Sequence, residues 1–222
     1  MPLKSKIRGL YRRLGELRRL PCRLRYRRQL RAKDFTLLTN NCLGGLLYHE
    51  LGLPFLSPLI NIYMNNGDFL RLCGDLERYM AEPLAFFRRP GTDCPVAKLG
   101  ELTIKFPHEP SEASARANWE RRRARIRYDN LYVIFLDIGN ATAEELAAFD
   151  ALPQKNRLYV RHAAGEHGGR DWFEAVRGSL SRRGYDAFPL IAFLNDPAAF
   201  AAPGAAGGPP GDRAAAGQLS DD

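Results

Sequence analysis

The sequence lacks the features that mark membrane-spanning, secreted and zinc-binding proteins. No apolar run among its 222 residues approaches the roughly 18 to 20 residues that a membrane-spanning helix needs. The N-terminus is basic and contains no apolar signal-peptide core. The four cysteines, at positions 22, 42, 73 and 94, form no Cys-x-x-Cys pair, so neither a zinc site nor a disulfide framework is expected. We therefore predict a cytoplasmic protein without a metal or other cofactor.

Acidic residues are scarce only near the N-terminus. Residues 1–33 contain 13 Lys or Arg and one acid, Glu16, for a net charge of +12. Because the whole chain carries +8, the other 189 residues carry a net charge of −4. The basic character therefore belongs to an N-terminal arm. A broad nucleic-acid-binding surface on the rest of the chain is not expected.

Within this arm, over residues 3–31, apolar side chains recur every three or four positions, which predicts an amphipathic helix. A basic amphipathic helix can lie on an anionic membrane surface, which would make the protein peripheral on the inner face of the cell membrane. Two alternatives remain open. The apolar face could pack on the folded domain or on a partner, or the arm could bind nucleic acid, although no reading motif supports this.

From Asp34 onward, short apolar runs alternate with segments of helical periodicity. This alternation predicts one α/β domain over residues 34–197, with a largely parallel sheet flanked by helices. The tail, residues 198–222, is rich in Ala, Gly and Pro and is predicted to be disordered. The predicted strands are 35–38, 59–63, 102–106, 131–136, 157–160 and 190–194. The predicted helices are 43–51, 67–80, 111–127, 142–150 and 170–182, and 82–100 is predicted to be irregular.

Cys42 stands at the turn from the first predicted strand to the first predicted helix. Asn40 or Asn41 can cap that helix. Gly44 and Gly45 leave its first turn bare, so that another group could approach the backbone. The partial positive charge at a helix start favours thiolate over thiol, which is how cysteine nucleophiles are commonly placed. The alternative is that Cys42 is a small apolar core residue.

Two other side chains follow predicted strands in the same way, His108 and Asp137. If the strands are parallel, both lie with Cys42 at the carboxyl edge of the sheet, where open α/β sheets bind ligands. A thiol, an imidazole and a carboxylate can serve as nucleophile, base and orienter, so these three are the predicted catalytic residues. The N–H groups of Leu43 and Gly44 could supply an oxyanion site. The alternatives are that His108 is a cap or loop residue and that Asp137 is a turn residue.

A second basic cluster lies on the predicted helix 111–127 and contains Arg121, Arg122 and Arg125. A guanidinium group can bind two oxygens at once, which suits phosphate or carboxylate. The alternative is a solvated face that complements the helix dipole. These arginines complete the predicted substrate-binding set, which also includes Asn40, Asn41, Gly44 and Gly45.

Six motifs occur in order within residues 34–195. They are Phe35-Thr-Leu-Leu-Thr-Asn-Asn-Cys-Leu-Gly-Gly45, Tyr48-His-Glu-Leu-Gly-Leu-Pro-Phe-Leu-Ser-Pro58, Phe106-Pro-His108, Asn118-Trp-Glu-Arg-Arg-x-x-Arg-Ile126, Asp129-Asn-Leu-Tyr-Val133 and Phe149-Asp-x-Leu-Pro153. This order resembles a bacterial family often labelled exopolysaccharide biosynthesis proteins, which tend to lie in capsule or surface-glycan gene clusters. A looser similarity to papain-like cysteine peptidases implies Cys42 as nucleophile and His108 as base.

The residues and the resemblance together predict a cysteine-dependent acyl- or group-transferase that acts on a lipid-linked or phosphorylated sugar. The first alternative is a non-catalytic protein that binds a phosphorylated sugar or a partner enzyme of glycan assembly through its arginine cluster. A second is a glycosyltransferase-like protein that uses carboxylates such as Asp137 and Asp150. No Asp-x-Asp metal motif supports the second alternative.

Overall fold

The computed structural model describes residues 20–21, 24–137, 141–161 and 189–200. In this part of the chain, six strands form two separate three-stranded sheets. The strands are β1 (Thr36–Thr39), β2 (Leu84–Phe87), β3 (Val96–Leu99), β4 (Leu102–Lys105), β5 (Leu131–Asp137) and β6 (Asn156–Arg161). The helices are α1 (Leu43–Leu51), α2 (Asn66–Gly74), α3 (Leu76–Ala81), α4 (Glu112–Arg123), α5 (Ala143–Asp150) and α6 (Pro189–Asn195), followed by a 3-10 turn (Pro197–Phe200). Residues 24–29 are also helical.

The first sheet is parallel and has the order β1-β5-β6. Its central strand, β5, is almost continuously apolar, as expected for a parallel strand that is buried on both faces. Thr36 lies opposite Leu131 on one side, and Tyr132 lies opposite Asn156 on the other. The predicted α/β class and a parallel sheet are therefore confirmed for these three strands.

The second sheet is an antiparallel meander of β2, β3 and β4, and here the prediction was wrong. The predicted strand 102–106 belongs to this sheet and not to the parallel one. Residues 82–100 were expected to be irregular because they contain Pro83, Pro90 and Pro95. Each proline lies outside the strands, where its missing N–H weakens no ladder.

Three other predicted elements differ. Residues 59–63 form no strand and touch the second sheet through a single bridge between Tyr63 and Lys105. The predicted helix 67–80 is two helices that meet at Asp75. The predicted strand 190–194 is the helix α6, because a five-residue apolar run does not distinguish the two and Pro189 suits a first helical position. The predicted helix 170–182 lies outside the described residues, as does the tail beyond Phe200.

The parallel sheet separates two apolar clusters. Val133 and Phe135 of β5 face the cluster that contains the antiparallel sheet, α2 and Trp119. Tyr132 and Ile134, which alternate with them, face the cluster formed with α1 and α6. Helix α1 and the antiparallel sheet therefore pack against opposite faces of the same strands. Groups at the end of β1 and at the end of β4 can meet only at the edge of the parallel sheet.

The last part of the basic arm packs on the domain. Tyr26 and Leu30 are buried in the cluster with α6. The Arg31 N–H donates to the Asn195 side chain, which in turn donates to the carbonyl of Gln29. Packing on the domain therefore holds for residues 26–31, whereas residues 3–19 lie outside the described part. No helix among the described residues is both long and apolar enough to cross a bilayer.

Tyr48 fixes α1 against β1, because its buried hydroxyl donates to the Phe35 carbonyl at 2.7 Å and accepts from the Leu37 N–H at 2.9 Å. We expect Tyr48→Phe to lower the free energy of unfolding by about 2 kcal/mol, since two buried backbone groups lose their partner. Urea denaturation measures this change. Tyr63→Phe is the matched control, because the Tyr63 hydroxyl makes no hydrogen bond within the described residues. Equal stability of the two variants would contradict the assignment.

Candidate active site

Cys42 and His108 meet although 66 positions separate them in the chain. The Cys42 Sγ atom lies 3.2 Å from Nε2 of His108, close enough for a proton to pass between them. Cys42 is the residue that precedes the first turn of α1, and it is partly buried. His108 is exposed and follows β4. The structure thus brings together two of the three side chains predicted to be catalytic.

The surroundings of the thiol oppose a standing thiolate. Burial raises the pKa of the Cys42 thiol, whereas the start of α1 favours the charged form. The sulfur also lies 3.9 Å from the carbonyl oxygen of Ile62, to which only the protonated thiol can donate. Burial thus opposes the thiolate that the position at the helix start was expected to favour. Proton transfer to His108 is the route to a nucleophilic sulfur.

Two side chains that precede α1 accept from N–H groups of its first turn. The Leu43 N–H donates to Oδ1 of Asn41 at 2.9 Å, and the Gly44 N–H donates to Oγ1 of Thr39 at 3.2 Å. The N-cap residue is Cys42, which makes no side-chain cap bond, and Asn41, one of the two predicted candidates, accepts from the first helical N–H from one position earlier. The two N–H groups predicted to form an oxyanion site are occupied within the fold.

Gly44 and Gly45 make room for the protein's own side chains. A Cβ atom on Gly44 would lie 2.9 Å from Oγ1 of Thr39, and one on Gly45 would lie 2.4 Å from Oδ1 of Asn61. Both glycines are buried. The bare turn that the sequence predicts is thus filled by Thr39 and Asn61, and neither glycine offers a surface for substrate.

Asn40 joins the ends of two strands. Its Nδ2 donates to the Leu136 carbonyl at 2.8 Å, and its Oδ1 accepts from the Leu136 N–H at 3.3 Å. The residue is almost fully buried. Its amide therefore continues the pairing of β1 with β5 beyond Thr39, and the geometry gives it a structural role in place of the predicted substrate contact.

Asp137 lies at the end of β5, but its carboxylate does not bond to His108. Oδ1 accepts from the Ala141 N–H at 3.0 Å, and Oδ2 accepts from the Tyr159 hydroxyl at 2.7 Å. Within the described residues, no hydrogen bond joins Asp137 to His108. The prediction assumed that both follow strands of one parallel sheet, whereas His108 follows a strand of the other sheet. Asp137 therefore does not orient His108 in the arrangement seen here.

Glu109 anchors the loop that carries His108, and sequence reasoning missed it. Its carboxylate, on a side chain only 9% exposed, accepts from Asn118 Nδ2 at 2.8 and 3.0 Å and from Ser114 Oγ at 2.9 Å. Arg122 Nη1 lies 3.8 Å from it. Ser114, Asn118 and Arg122 follow one another at four-residue spacing, which places them on one face of α4. That spacing is the signal in the sequence that could have identified this cluster.

The predicted arginine cluster is divided. Arg122 is buried, donates to the Ile60 carbonyl at 3.3 Å and lies over the Phe55 ring. Burial lowers the pKa of its guanidinium group, and Glu109 opposes this shift. Arg121 is exposed and donates to Asn118 at 2.6 Å, and Arg125 is exposed. Arg122 therefore serves the fold, and the three arginines do not converge on one ligand.

The part of the chain that matches known proteins includes this site. Residues 15–167 match the family described as "Domain of unknown function (DUF1919)", and this range includes both Cys42 and His108. The chain belongs to the DUF1919 family. An "Uncharacterized protein" of Haemophilus influenzae (strain ATCC 51907 / DSM 11121 / KW20 / Rd) is 36% identical over 135 residues. The match covers 61% of this chain and 65% of that relative, so the DUF1919 chain spans less than two thirds of the relative's length.

Neither match mentions exopolysaccharide biosynthesis or a papain-like peptidase. Those two resemblances stay predictions. Among the described residues of this DUF1919 protein, no group of three or more His, Cys, Asp and Glu side chains could hold a metal ion. The family match thus establishes membership and assigns no reaction to the site.

The Glu109 cluster provides the first test of the site. We expect Glu109→Gln to lower the free energy of unfolding by about 3 kcal/mol, because it leaves the Arg122 guanidinium buried without a counter-charge. Chemical denaturation measures the loss. The control is Glu120→Gln, which removes an exposed partner of Arg123 on the same helix and should cost less than about 1 kcal/mol. Similar losses of stability in both variants would show that Glu109 stabilises the fold no more than an exposed carboxylate does.

His108 provides the second test. We expect His108→Ala to slow alkylation of Cys42 by iodoacetamide at least tenfold at pH 7. Burial raises the pKa of the thiol, so without a base the thiolate forms only at higher pH. Because the thiol pKa is raised, the rate in the variant should still be rising at about pH 8.5, the ordinary thiol pKa, where an unperturbed thiol begins to level off. Mass spectrometry of the alkylated peptide measures the rate, with the partly exposed Cys94 as internal reference. An unchanged pH profile would remove His108 as the base.

Proposed function

We propose that this DUF1919 protein is a cysteine-dependent acyl- or group-transferase, with Cys42 as nucleophile and His108 as general base. The observation that carries the proposal is the 3.2 Å contact between Sγ and Nε2 at the start of a helix. An exposed imidazole beside a partly buried thiol is the arrangement by which a base activates a cysteine that is not acidic on its own.

The reaction follows from these two groups. His108 Nε2 takes the proton from Sγ as the sulfur attacks an acyl carbon, and the carbonyl electron pair moves to oxygen. The tetrahedral intermediate collapses with loss of the leaving group, which receives the proton from His108. An acceptor hydroxyl, deprotonated by the same imidazole, then attacks the thioester and releases Cys42 as thiol. Water in place of the acceptor gives hydrolysis by the same route.

We propose a lipid-linked or phosphorylated sugar of surface-glycan assembly as the acceptor. This assignment rests on the resemblance to exopolysaccharide biosynthesis proteins and on the basic residues of the arm that precede the packed segment 26–31, which would hold the protein beside an anionic membrane surface. His108 stands at the surface, so a substrate much larger than the site could reach it. A cytoplasmic, peripheral location belongs to the same proposal.

The rival function, phospho-sugar binding through the arginine cluster, has less support from the geometry. It needs Arg121, Arg122 and Arg125 to face one ligand. Arg122 is enclosed by Glu109 and the Ile60 carbonyl, and Arg121 donates to Asn118. Only the exposed guanidinium groups would be available, and isolated surface arginines make weak anion sites.

The test is a Cys42→Ala strain of the organism that carries the gene. We expect the variant to accumulate as a folded protein while the modification of the surface glycan is lost, as measured by glycan composition. Cys94→Ala is the matched control, because Cys94 lies on the β2–β3 loop and should leave the glycan unchanged. An unaltered glycan in the Cys42→Ala strain, with folding verified by circular dichroism, would reject Cys42 as the nucleophile.

A further inference from the structure

The segment 62–63 lies between Cys42 and the antiparallel sheet. On one side, the Tyr63 N–H donates to the Lys105 carbonyl at 2.9 Å, and the Lys105 N–H donates to the Tyr63 carbonyl at 3.0 Å. On the other side, the Ile62 carbonyl lies 3.9 Å from the Cys42 sulfur. The segment therefore occupies the place of one more strand beside β4. With strands about 4.8 Å apart, the Lys105 backbone is on the order of 10 Å from the thiol.

The side chains of Tyr63 and Lys105 share the outer face of this pairing. The residues directly before and after each of them are buried in the core, and side chains alternate between the two faces of extended chain. Tyr63 is 38% exposed, and Lys105 is partly buried. Nζ of Lys105 lies 5.4 Å from the centroid of the Tyr63 ring. This cation–π contact holds the ammonium group beside the ring.

The polar ends of both side chains are unused. Within the described residues, the Lys105 ammonium has no carboxylate partner, and neither it nor the Tyr63 hydroxyl makes a hydrogen bond. Lys98 of the neighbouring strand β3 differs, because its ammonium donates to the Thr103 hydroxyl at 2.8 Å and to the Glu101 carbonyl at 3.2 Å. An ammonium group that is held in place without a counter-charge can bind a phosphate oxygen.

The chain from Lys105 to the imidazole is short. His108 follows Lys105 by three residues, and the turn between them is closed by the Glu109 N–H, which donates to the Phe106 carbonyl at 3.1 Å. Nε2 of His108 lies 3.2 Å from the Cys42 sulfur. A molecule that reacts at this sulfur can therefore reach Lys105 with a group at its other end.

We propose that Lys105 and Tyr63 form a subsite that binds a phosphate group of the molecule that reacts at Cys42, with the ammonium group and the phenol hydroxyl as donors. This inference rests on the proposed function and names the residues that bind the phosphorylated substrate. A phosphorylated sugar carries its phosphate at one position of the ring and its reactive hydroxyl at another. A subsite about two strand spacings from the sulfur suits such a molecule.

The experiment compares the acetylation of Cys42 in the full chain by two esters. The first is 4-acetoxyphenyl phosphate, which carries a phosphate across the ring from the acetyl group, and the second is the neutral 4-methoxyphenyl acetate. The sulfur attacks the acetyl carbon of either ester and expels the phenolate. Intact mass measures both rates, with Cys42→Ala as background, and each rate is divided by that of the same ester with N-acetylcysteine. We expect the wild type to prefer the phosphate ester about tenfold.

The variants remove one donor at a time. Lys105→Met should abolish the preference, because it keeps the length of the side chain and removes its charge. Tyr63→Phe should lower the preference about threefold, because it removes one neutral donor. Lys98→Met is the matched control and should keep the full preference, because this lysine belongs to the same sheet and is bonded within it. A wild type without preference, or a Lys105→Met variant that retains it, would overturn the subsite.

Failure of the proposed function is a separate result. Wild-type acetylation no faster than that of Cys42→Ala would reject the nucleophile, and binding of phenyl phosphate to Cys42→Ala, measured by calorimetry, then decides the subsite without any reaction. We expect binding that is lost when Lys105→Met is added. Absence of binding, or binding that survives this change, would overturn the subsite. Binding of vesicles that contain phosphatidic acid, dependent on Lys105 and without binding of phenyl phosphate, would assign the lysine to a membrane surface instead.

Discussion

The buried carboxylate of Glu109 is the interaction on which the site depends. A carboxylate removed from water is costly unless its oxygens find donors and a counter-charge. Here Ser114 and Asn118 donate hydrogen bonds and Arg122 supplies the charge, all from one face of α4. Satisfying that charge fixes the loop after β4 in one position. His108 directly precedes Glu109 in the chain. The hydrogen bonds of Glu109 therefore also fix the position of the proposed base.

The same helix also reaches the other side of the site. Arg122 donates to the Ile60 carbonyl while it faces Glu109, so it connects the loop of His108 with the segment of Asn61 and Ile62. That segment in turn contacts the sulfur of Cys42. On the opposite side, Tyr48 ties α1 to β1. Arg122 therefore joins the loop of the imidazole to the segment beside the thiol, and Tyr48 holds α1 from the other side.

Some of this arrangement could be predicted from the sequence because it is encoded locally. The bounds of α1 follow from a residue pattern within two turns, and the structure confirms them. The structure also shows a cap at Ser111 and a capping box of Thr142 and Glu145, which are equally local. The order of the sheets could not be predicted in this way. Strand direction depends on contacts between distant segments, and the apolar run before His108 reads the same in a parallel and in an antiparallel sheet.

That limit explains why one site expectation agreed with the structure and another did not. His108 reaches Cys42 because β4 ends near the edge of the parallel sheet, although it is not part of it. Asp137 does lie at that edge, yet its carboxylate oxygens accept hydrogen bonds from the Ala141 N–H and the Tyr159 hydroxyl. Gly44 and Gly45 could be recognised in the sequence, but the absence of a side chain does not indicate which neighbouring residue occupies the space. Thr39 and Asn61 fill it here.

The division of the core by the parallel sheet has a consequence for the newly made chain. The sulfur comes from the layer on one face, and the ring nitrogen comes from the layer on the other. A polypeptide in which either layer has not yet docked carries a sulfhydryl with no proton acceptor nearby. The pairing of nucleophile and base that the proposed reaction needs therefore forms only once both layers have docked on the sheet.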